Sequence, residues 1–427
     1  MNVIVRYIAV TLFCVASAAR ADKPLSKQSS LPSLNLQSSN SEVQNLGYVD
    51  CVIQMLNTRQ IDYSKAMSVA QWIESATQLE FVKEASGANH SIIEADRTRM
   101  AKTILSPDRY LALERACSEQ LKNENDKIRI LAMYILARSL GSSIGRNYMV
   151  KVLKEGLAIL ETENRMPPSL EELFAAAENL AYLGYSDGVE VLESALGSDD
   201  SPSFLKRRAM NALARLGVPV TSSSMVEQLM SRDAAVAFTA FNLAEAACTN
   251  HVVISSAVSQ LEMLRFSHTR KHALSYNQAA LLRKLSLILS MAFRDGALTG
   301  EALDKAKSSA GYFIKCSDDE LQERVVSLIA ETASDSDALL IDCMLESRSS
   351  RVRSWAVTAL FRCSPDTILA RKKTLITLLD DGSHETRDAA LFVLRKGLGE
   401  KAMNQLSEAE FLIQKARIVK KLKRLDE

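Results

Sequence analysis

The chain has 427 residues, of which 47% are hydrophobic but only 6% aromatic, with 15 Gly and 8 Pro. That mixture supplies a large core and too few turn residues for a β-sandwich or barrel, so the fold class it predicts is all-α. A formal net charge of +1 gives no global electrostatic reason to expect a nucleic-acid binder.

Residues 1–21, "MNVIVRYIAVTLFCVASAARA", have the form of a secretory signal peptide. Arg6 supplies the basic start, Tyr7 to Ala19 an apolar run of 13, and Ala19-Arg20-Ala21 a small-x-small cleavage site before Asp22. The run is shorter than the roughly 20 residues that span a hydrocarbon core. Cys14 follows the bulky Phe13 rather than the small residue a lipoprotein signal requires. Cleavage removes Arg6 and Arg20 and leaves 50 basic residues against 51 acidic. The expectation is an exported protein, periplasmic or secreted, with no transmembrane span once the signal is gone. Six cysteines then remain: Cys51, Cys117, Cys248, Cys316, Cys343 and Cys363. There is no C-x-x-C, and the nearest pair is 20 residues apart, at different heights on one helical hairpin. They read mostly as free, small core residues.

Residues 22–42 are Ser-rich with two Pro and read as a flexible tether. From Val43 the apolar residues fall at i, i+3, i+4 and i+7 in runs such as "VDCVIQMLNTR", "AMSVAQWIESA" and "RYLALERACSEQL". Residues 43–120 are assigned to a helical N-terminal cap or divergent repeats.

Internal repetition dominates residues 121–400. One helix recurs as "IRILAMYIL", "LKRRAMNAL", "VRSWAVTAL" and "TRDAALFVL", with weaker copies between. Its central small residue falls at Ala132, Ala176, Ala209, Ala240, Val325, Ala356 and Ala390, with a cryptic unit near Ala280. Most steps are 31–34 residues. Two antiparallel helices cannot bury their apolar stripes alone and must stack on the next pair. A small central residue lets each second helix approach its neighbours. Leu183-Gly184 and Leu216-Gly217 place Gly where a helix ends and a left-handed residue is needed.

These units resemble HEAT repeats, in particular the bilin-lyase-like HEAT subtype. Leu183, Gly184, Gly188, Val189 and Leu192 match the first half of that motif, and Val352, Arg353, Ala356, Ala359 and Leu360 the second. The resemblance implies a superhelical solenoid of antiparallel helix pairs, with the second helices on its concave face. It also implies that Asp200 serves Lys206 and Asp381 serves Arg387. Arg129 and Arg353 follow Asn123 and Ser347 instead of an acid, although Glu346 could reach Arg353.

No nucleophile elbow, phosphate-binding Gly loop or paired-Cys zinc motif occurs, so no catalytic, cofactor-binding or metal-ligating residue is assigned. His268 and His272 share a helical face, but Arg265, Arg270 and Lys271 would repel a cation, and the stretch reads as a solvated basic helix. Residues 401–427 read as a capping helix, with Phe411, Ile418, Leu422 and Leu425 inward. Its bases, Lys415, Arg417, Lys420, Lys421, Lys423 and Arg424, face out, where they offer a contact to an anionic surface. The function expected is an exported, non-enzymatic protein-interaction scaffold. Alternatives are an accessory lyase-like or other enzyme, and a binder of anionic surfaces or nucleic acid through basic helices. Arg129, Arg207 and Arg353 are the residues expected to meet an acidic protein partner.

Overall fold

Short polar caps divide this chain into helices. Asn125, Ser169, Asp233, Ser275, Asp318, Ser349 and Ser383 each accept a backbone N–H from the first turn of the helix that follows. Such a cap stabilises a helix by about 1 kcal/mol. The computed structural model describes residues 39–84, 90–161, 169–271, 273–316, 318–400 and 407–424, with no strand among them. They fall into two compact units that meet between Pro219 and Val220.

The first unit contains α1 (Ser39–Thr58), α2 (Tyr63–Glu84), α3 (His90–Leu105), α4 (Pro107–Gln120) and α5 (Asp126–Tyr134). After α5 the backbone widens into a π-helical turn, Ile135–Ser139, followed by α6 (Ser143–Glu161), α7 (Leu170–Tyr182), α8 (Val189–Gly197) and α9 (Ser203–Arg215). The hairpins are α4–α5, α6–α7 and α8–α9, and the second helices α5, α7 and α9 pack side by side. α2 lies against α5 and its π-turn.

The second unit begins with α10 (Ser223–Leu229), α11 (Ala234–Leu243), α12 (His251–Lys271), α13 (Tyr276–Arg294), α14 (Gly300–Ile314) and α15 (Asp319–Thr332). It continues through α16 (Ala338–Leu345), α17 (Ser350–Leu360), α18 (Pro365–Leu369), α19 (Lys372–Leu378) and α20 (His384–Gly397), and ends with α21 (Glu408–Lys423). Its second helices α11, α13, α15, α17 and α20 form a second row.

The repeat register follows the small residues. Ala132, Ala176, Ala209, Ala240, Val325, Ala356 and Ala390 sit on successive second helices, none more than 2% exposed. The cryptic unit departs from the pattern. Ala280 is only half-buried, and α13 meets α15 through Ser286, whose hydroxyl lies 3.2 Å from that of Ser327. Gly184 and Gly217 take φ of +86° and +76°, each closing a helix by returning the next N–H to a carbonyl five residues back. Gly188 serves contact instead of conformation, since a Cβ there would stand 2.5 Å from the Cα of Ala177 on α7.

The signal peptide and most of the tether lie outside the described residues, but α1 starts at Ser39, inside the stretch assigned to the tether. The boundary drawn between residues 120 and 121 falls within the α4–α5 hairpin. The six cysteines are free. Cys117, Cys248 and Cys363 are core residues, but Cys51 and Cys343 are exposed, which corrects their reading as core. Among the described residues no helix is long and apolar enough to cross a membrane.

Candidate protein-interaction surface

Arg129 and Arg353, which lack the acid the motif places six residues upstream, are both engaged, by the same device in different units. Arg129 donates through Nε and Nη2 to the two oxygens of Glu172 at 2.9 and 2.6 Å. Its Nη1 takes the carbonyls of Asn123 and Glu124 at 2.7 and 2.9 Å. Arg353 donates to Asp381 at 2.7 Å, and its Nη1 takes the carbonyls of Ser347 and Arg348 at 2.9 and 2.8 Å. Each guanidinium thus satisfies two carbonyls of the loop that leads into its own second helix, backbone groups that regular structure leaves without a partner. It also crosses to a carboxylate of the next hairpin. The acid was absent from its expected place because it comes 43 residues later for Arg129 and 28 later for Arg353.

Asp381 therefore serves Arg353 with its carboxylate, while Arg387 takes only its carbonyl, at 3.0 Å. Burial pushes the Asp381 carboxyl up, but the hydrogen bonds from Arg353 and the Ser383 N–H and the charges of Arg353 and Arg387 hold it below the usual carboxylate range. Buried glutamines do a related job without charge. Gln120 donates to the carbonyl of Leu56, Gln260 to those of Leu229 and Ser231, and Gln322 to those of Ile314 and Cys316. Of the three arginines expected to meet an acidic partner, Arg207 on α9 is the exposed one.

A different constellation, absent from the sequence expectations, lies in the first unit. Phe174, Glu178 and Tyr182 recur every four residues on α7. The π-turn carries Arg138, α9 carries Arg208 and Arg215, α2 carries Glu74, and α3 carries Arg97. The Arg138 guanidinium lies 3.8 Å from the centroid of the Tyr182 ring and 4.7 Å from that of Tyr134. The Arg215 guanidinium lies 4.0 Å from the Tyr182 centroid. At such distances each cation covers a ring face, and two cannot share one face, so Tyr182 is sandwiched. Such contacts contribute about 0.5–2 kcal/mol each, rising with desolvation.

Glu74 anchors the stack from below. Its side chain is 8% exposed and accepts from Arg138 Nε and Nη2 at 3.0 and 2.6 Å and from the Tyr134 hydroxyl. Burial, and then the bond to Glu74, push the Tyr134 phenol up. Arg97 donates through Nη1 to the Arg138 carbonyl at 3.3 Å. Burial pulls the Arg97 guanidinium down; Glu74 opposes that shift, and Arg138 and Arg215 add to it. Further along α7, Arg208 pairs with Glu178 and covers the Phe174 ring. The four-residue spacing of Phe174, Glu178 and Tyr182 was a visible signal in the sequence; the π-turn that brings Arg138 to it was not.

The C-terminal helix keeps its expected inner face, with Phe411, Ile418 and Leu422 buried. Leu425 lies outside the described residues. The basic face is partly engaged, since Lys415 pairs with Asp380, and Arg417 and Lys421 both pair with Glu400. Lys420, Lys423 and Arg424 are exposed, and the outer side also shows Leu412 at 55% and Ile413 at 65% exposure. His268 Nδ1 lies 3.0 Å from the Tyr312 hydroxyl, while His272 is outside the described residues.

Each unit contains a stack of antiparallel helix pairs whose second helices form a continuous row, which defines an all-α, solenoid-type fold. No family model and no curated protein matches the chain. Among solved structures, it is similar to an engineered protein from the Northeast Structural Genomics Consortium, at 16% identity and a TM-score of 0.48, over 88% of this chain and 99% of the other. It is also similar to Kap121p, at 14% identity and a TM-score of 0.39, over 84% of this chain but 44% of Kap121p. A third likeness is to a chain of the Pds5-Scc1 complex, at 13% identity and a TM-score of 0.31, over 93% of this chain and 67% of the other.

Proposed function

We propose that this protein is an exported, non-enzymatic interaction scaffold, acting in the periplasm or outside the cell, whose partner docks on the second-helix row of the first unit. The observation that carries the reading is the Arg138–Tyr182–Arg215 stack on that row, with Arg215 exposed. Tyrosine and arginine are the residues on which interfaces concentrate binding energy, because they combine large rigid area with directed polarity. Export is supported by the form of residues 1–21, and the bilin-lyase-like HEAT subtype by the Leu183-Gly184 and Val352–Leu360 matches.

Position-resolved cross-linking tests this reading. A photoreactive amino acid replaces Arg215 in one variant and the exposed Glu193 of α8 in another, in cells of the source organism. A discrete adduct from position 215 alone, in the extracytoplasmic fraction and on a chain beginning at Asp22, supports the proposal. Equal adducts from both positions, or a chain still carrying Met1 in the cytoplasm, overturns it.

One further observation favours a second contact. The exposed Leu412 and Ile413 lie on the same helix as Lys420 and Lys423, bases with no acidic partner among the described residues, the pattern of a helix that rests on an anionic membrane surface. Co-sedimentation with phosphatidylserine vesicles, lost in Leu412→Ser/Ile413→Ser, tests it; equal sedimentation with neutral vesicles rejects the anionic contact.

A further inference from the structure

We infer that the partner of the first unit presents an acidic peptide segment, whose Asp or Glu carboxylates are taken by the edges of Arg215 and Arg97 beside the Tyr182 sandwich. This rests on the scaffold reading and adds the chemistry of the ligand.

The argument begins with how each guanidinium is used. A guanidinium has five N–H donors in a planar fork. Arg129 and Arg353 direct theirs to a carboxylate and two carbonyls, so little capacity remains. Arg215 makes no ion pair or hydrogen bond among the described residues, and its guanidinium stands 4.0 Å from the Tyr182 centroid. A contact with a ring uses no lone-pair acceptor, so no carboxylate or carbonyl yet answers its donors. Arg97, 8% exposed, has one hydrogen bond, to the Arg138 carbonyl. Both therefore retain donors that a carboxylate can accept bidentately.

Electrostatics point the same way. Arg97 lies within Coulombic reach of Glu74, Arg138 and Arg215, and the one carboxylate among them, Glu74, is paired to Arg138. Holding guanidinium groups on both faces of one ring and a third beside them opposes like-charge repulsion, which an incoming anion relieves. Arg97, at 8% exposure, and the Arg138 side chain, at 13%, make that relief larger than among fully exposed charges. The other cation of this face, Arg208, is already neutralised by Glu178.

The limited extent of the positive region selects the class of anion. Glu178 and the exposed Glu171 stand on the same helix as Tyr182. A phosphodiester backbone needs a continuous basic track, which these carboxylates interrupt. A peptide with two or three acids can place them at Arg215 and Arg97 and turn away before reaching Glu178.

The test uses the full chain after signal removal and a fluorescein-labelled octaglutamate probe, followed by anisotropy at 50 mM and 200 mM NaCl. Octaglutamine and a twelve-residue oligothymidylate serve as comparison probes. Octaglutamate is expected to bind, octaglutamine not. Arg215→Gln should weaken octaglutamate binding about tenfold, the loss of one charge-assisted bidentate pair. Lys154→Gln, an exposed base on α6 of the same unit that takes no part in the stack, should leave binding within about twofold. Both positions are exposed, so the variants should keep the helical circular dichroism of the parent. Equal weakening by the two variants, no octaglutamate binding at either salt, or tighter binding of the oligothymidylate overturns the proposal. If octaglutamate fails while the cross-link from position 215 persists, the scaffold reading stands and only the acidic chemistry falls. If octaglutamate binds as expected but position 215 yields no adduct in cells, the site exists and the scaffold reading is what fails.

Discussion

Arginine is used in two ways in the two units. Near the feet of α5 and α17, one in each unit, an arginine takes backbone carbonyls of its own hairpin and a carboxylate of the next, and Glu172 and Asp381 sit with side chains 2% and 4% exposed in return. Such a residue is a structural tie. At the far end of α5, where the backbone opens into the π-turn, Arg138 instead lies between Tyr134 and Tyr182, and Arg215 covers the other face of Tyr182. A π-turn inserts one extra residue per turn and shifts everything after it around the helix axis. The regular ties make one hairpin resemble the next, and the irregular stack gives the first unit a surface of its own. The difference teaches that the repeated basic position at Arg129 and Arg353 answers a repeated structural need, a carboxylate of the next hairpin.

The largest expected effect comes from removing the anchor of the stack. Glu74→Ala leaves the Arg138 guanidinium, 13% exposed, without its carboxylate. Breaking a buried pair in this one-sided way costs about 3–5 kcal/mol. Hydrogen exchange should accelerate in α2, α5 and the π-turn, with the second unit protected as before. Unchanged exchange in α2 would show that the stack stands without Glu74.

Ala356→Arg probes the regular side of the comparison. Ala356 is fully buried on α17 between the neighbouring second helices α15 and α20. Overpacking costs about 1–3 kcal/mol, and an unpaired charge adds to that. Loss of protection should centre on α15, α17 and α20, since solenoid contacts are between neighbours. Protection lost first in α11, several helices away in the row, would contradict a nearest-neighbour stack.

The Asp381 tie is worth about 2 kcal/mol as a charge-assisted bond, and it titrates. Its folded pKa lies below the ordinary carboxylate value near 3.9, so its contribution is fully present above about pH 4. The contribution is lost as pH falls through the depressed folded value. Asp381→Asn should therefore reduce protection of α17 and α20 at pH 7, and the gap between variant and parent should close toward pH 2. A gap that stays constant across that range would mean the carboxylate charge is not what Arg353 uses.

The sequence made the register of this solenoid legible because small residues and a 3.6-residue apolar period are local signals. Ala132, Ala176 and Ala356 could be placed without knowing any contact. The pairing of Arg129 and Arg353 was not legible, since Glu172 and Asp381 belong to the following hairpin and the motif drew attention to acids six residues upstream. α13 covers the cryptic unit near Ala280, but the residue of its close approach was not legible for a related reason. It is 19 residues long, and its close approach falls at Ser286, well past the point that spacing from shorter helices suggests. The Tyr182 sandwich needs five helices and a π-turn to assemble, and no stretch of sequence carries more than two of its members. On α21, Leu412 and Ile413 were passed over because one apolar stripe, through Phe411 and Ile418, already explained the helix.

The smallest effects on stability are expected at Tyr182, where the effect on binding depends on whether the ring is kept. Tyr182→Phe keeps the ring between the two guanidinium groups, and the face of a phenyl ring attracts a cation much as a phenol does. Its stability should lie within about 0.5 kcal/mol of the parent. Tyr182→Leu removes the ring, and with it two cation–π contacts worth about 1 kcal/mol together at a half-exposed site. Arg138 would stay in place through Glu74, but Arg215 would lose the contact that fixes its plane. A side chain free to rotate pays ordering entropy again on binding, about 0.5–1.5 kcal/mol for an immobilised arginine, or roughly three- to tenfold in affinity. Octaglutamate binding should thus fall in Tyr182→Leu by nearly as much as in Arg215→Gln and remain intact in Tyr182→Phe. Equal binding by all three would mean that the ring does nothing to present Arg215, and the stack would then be another structural tie like those at Arg129 and Arg353.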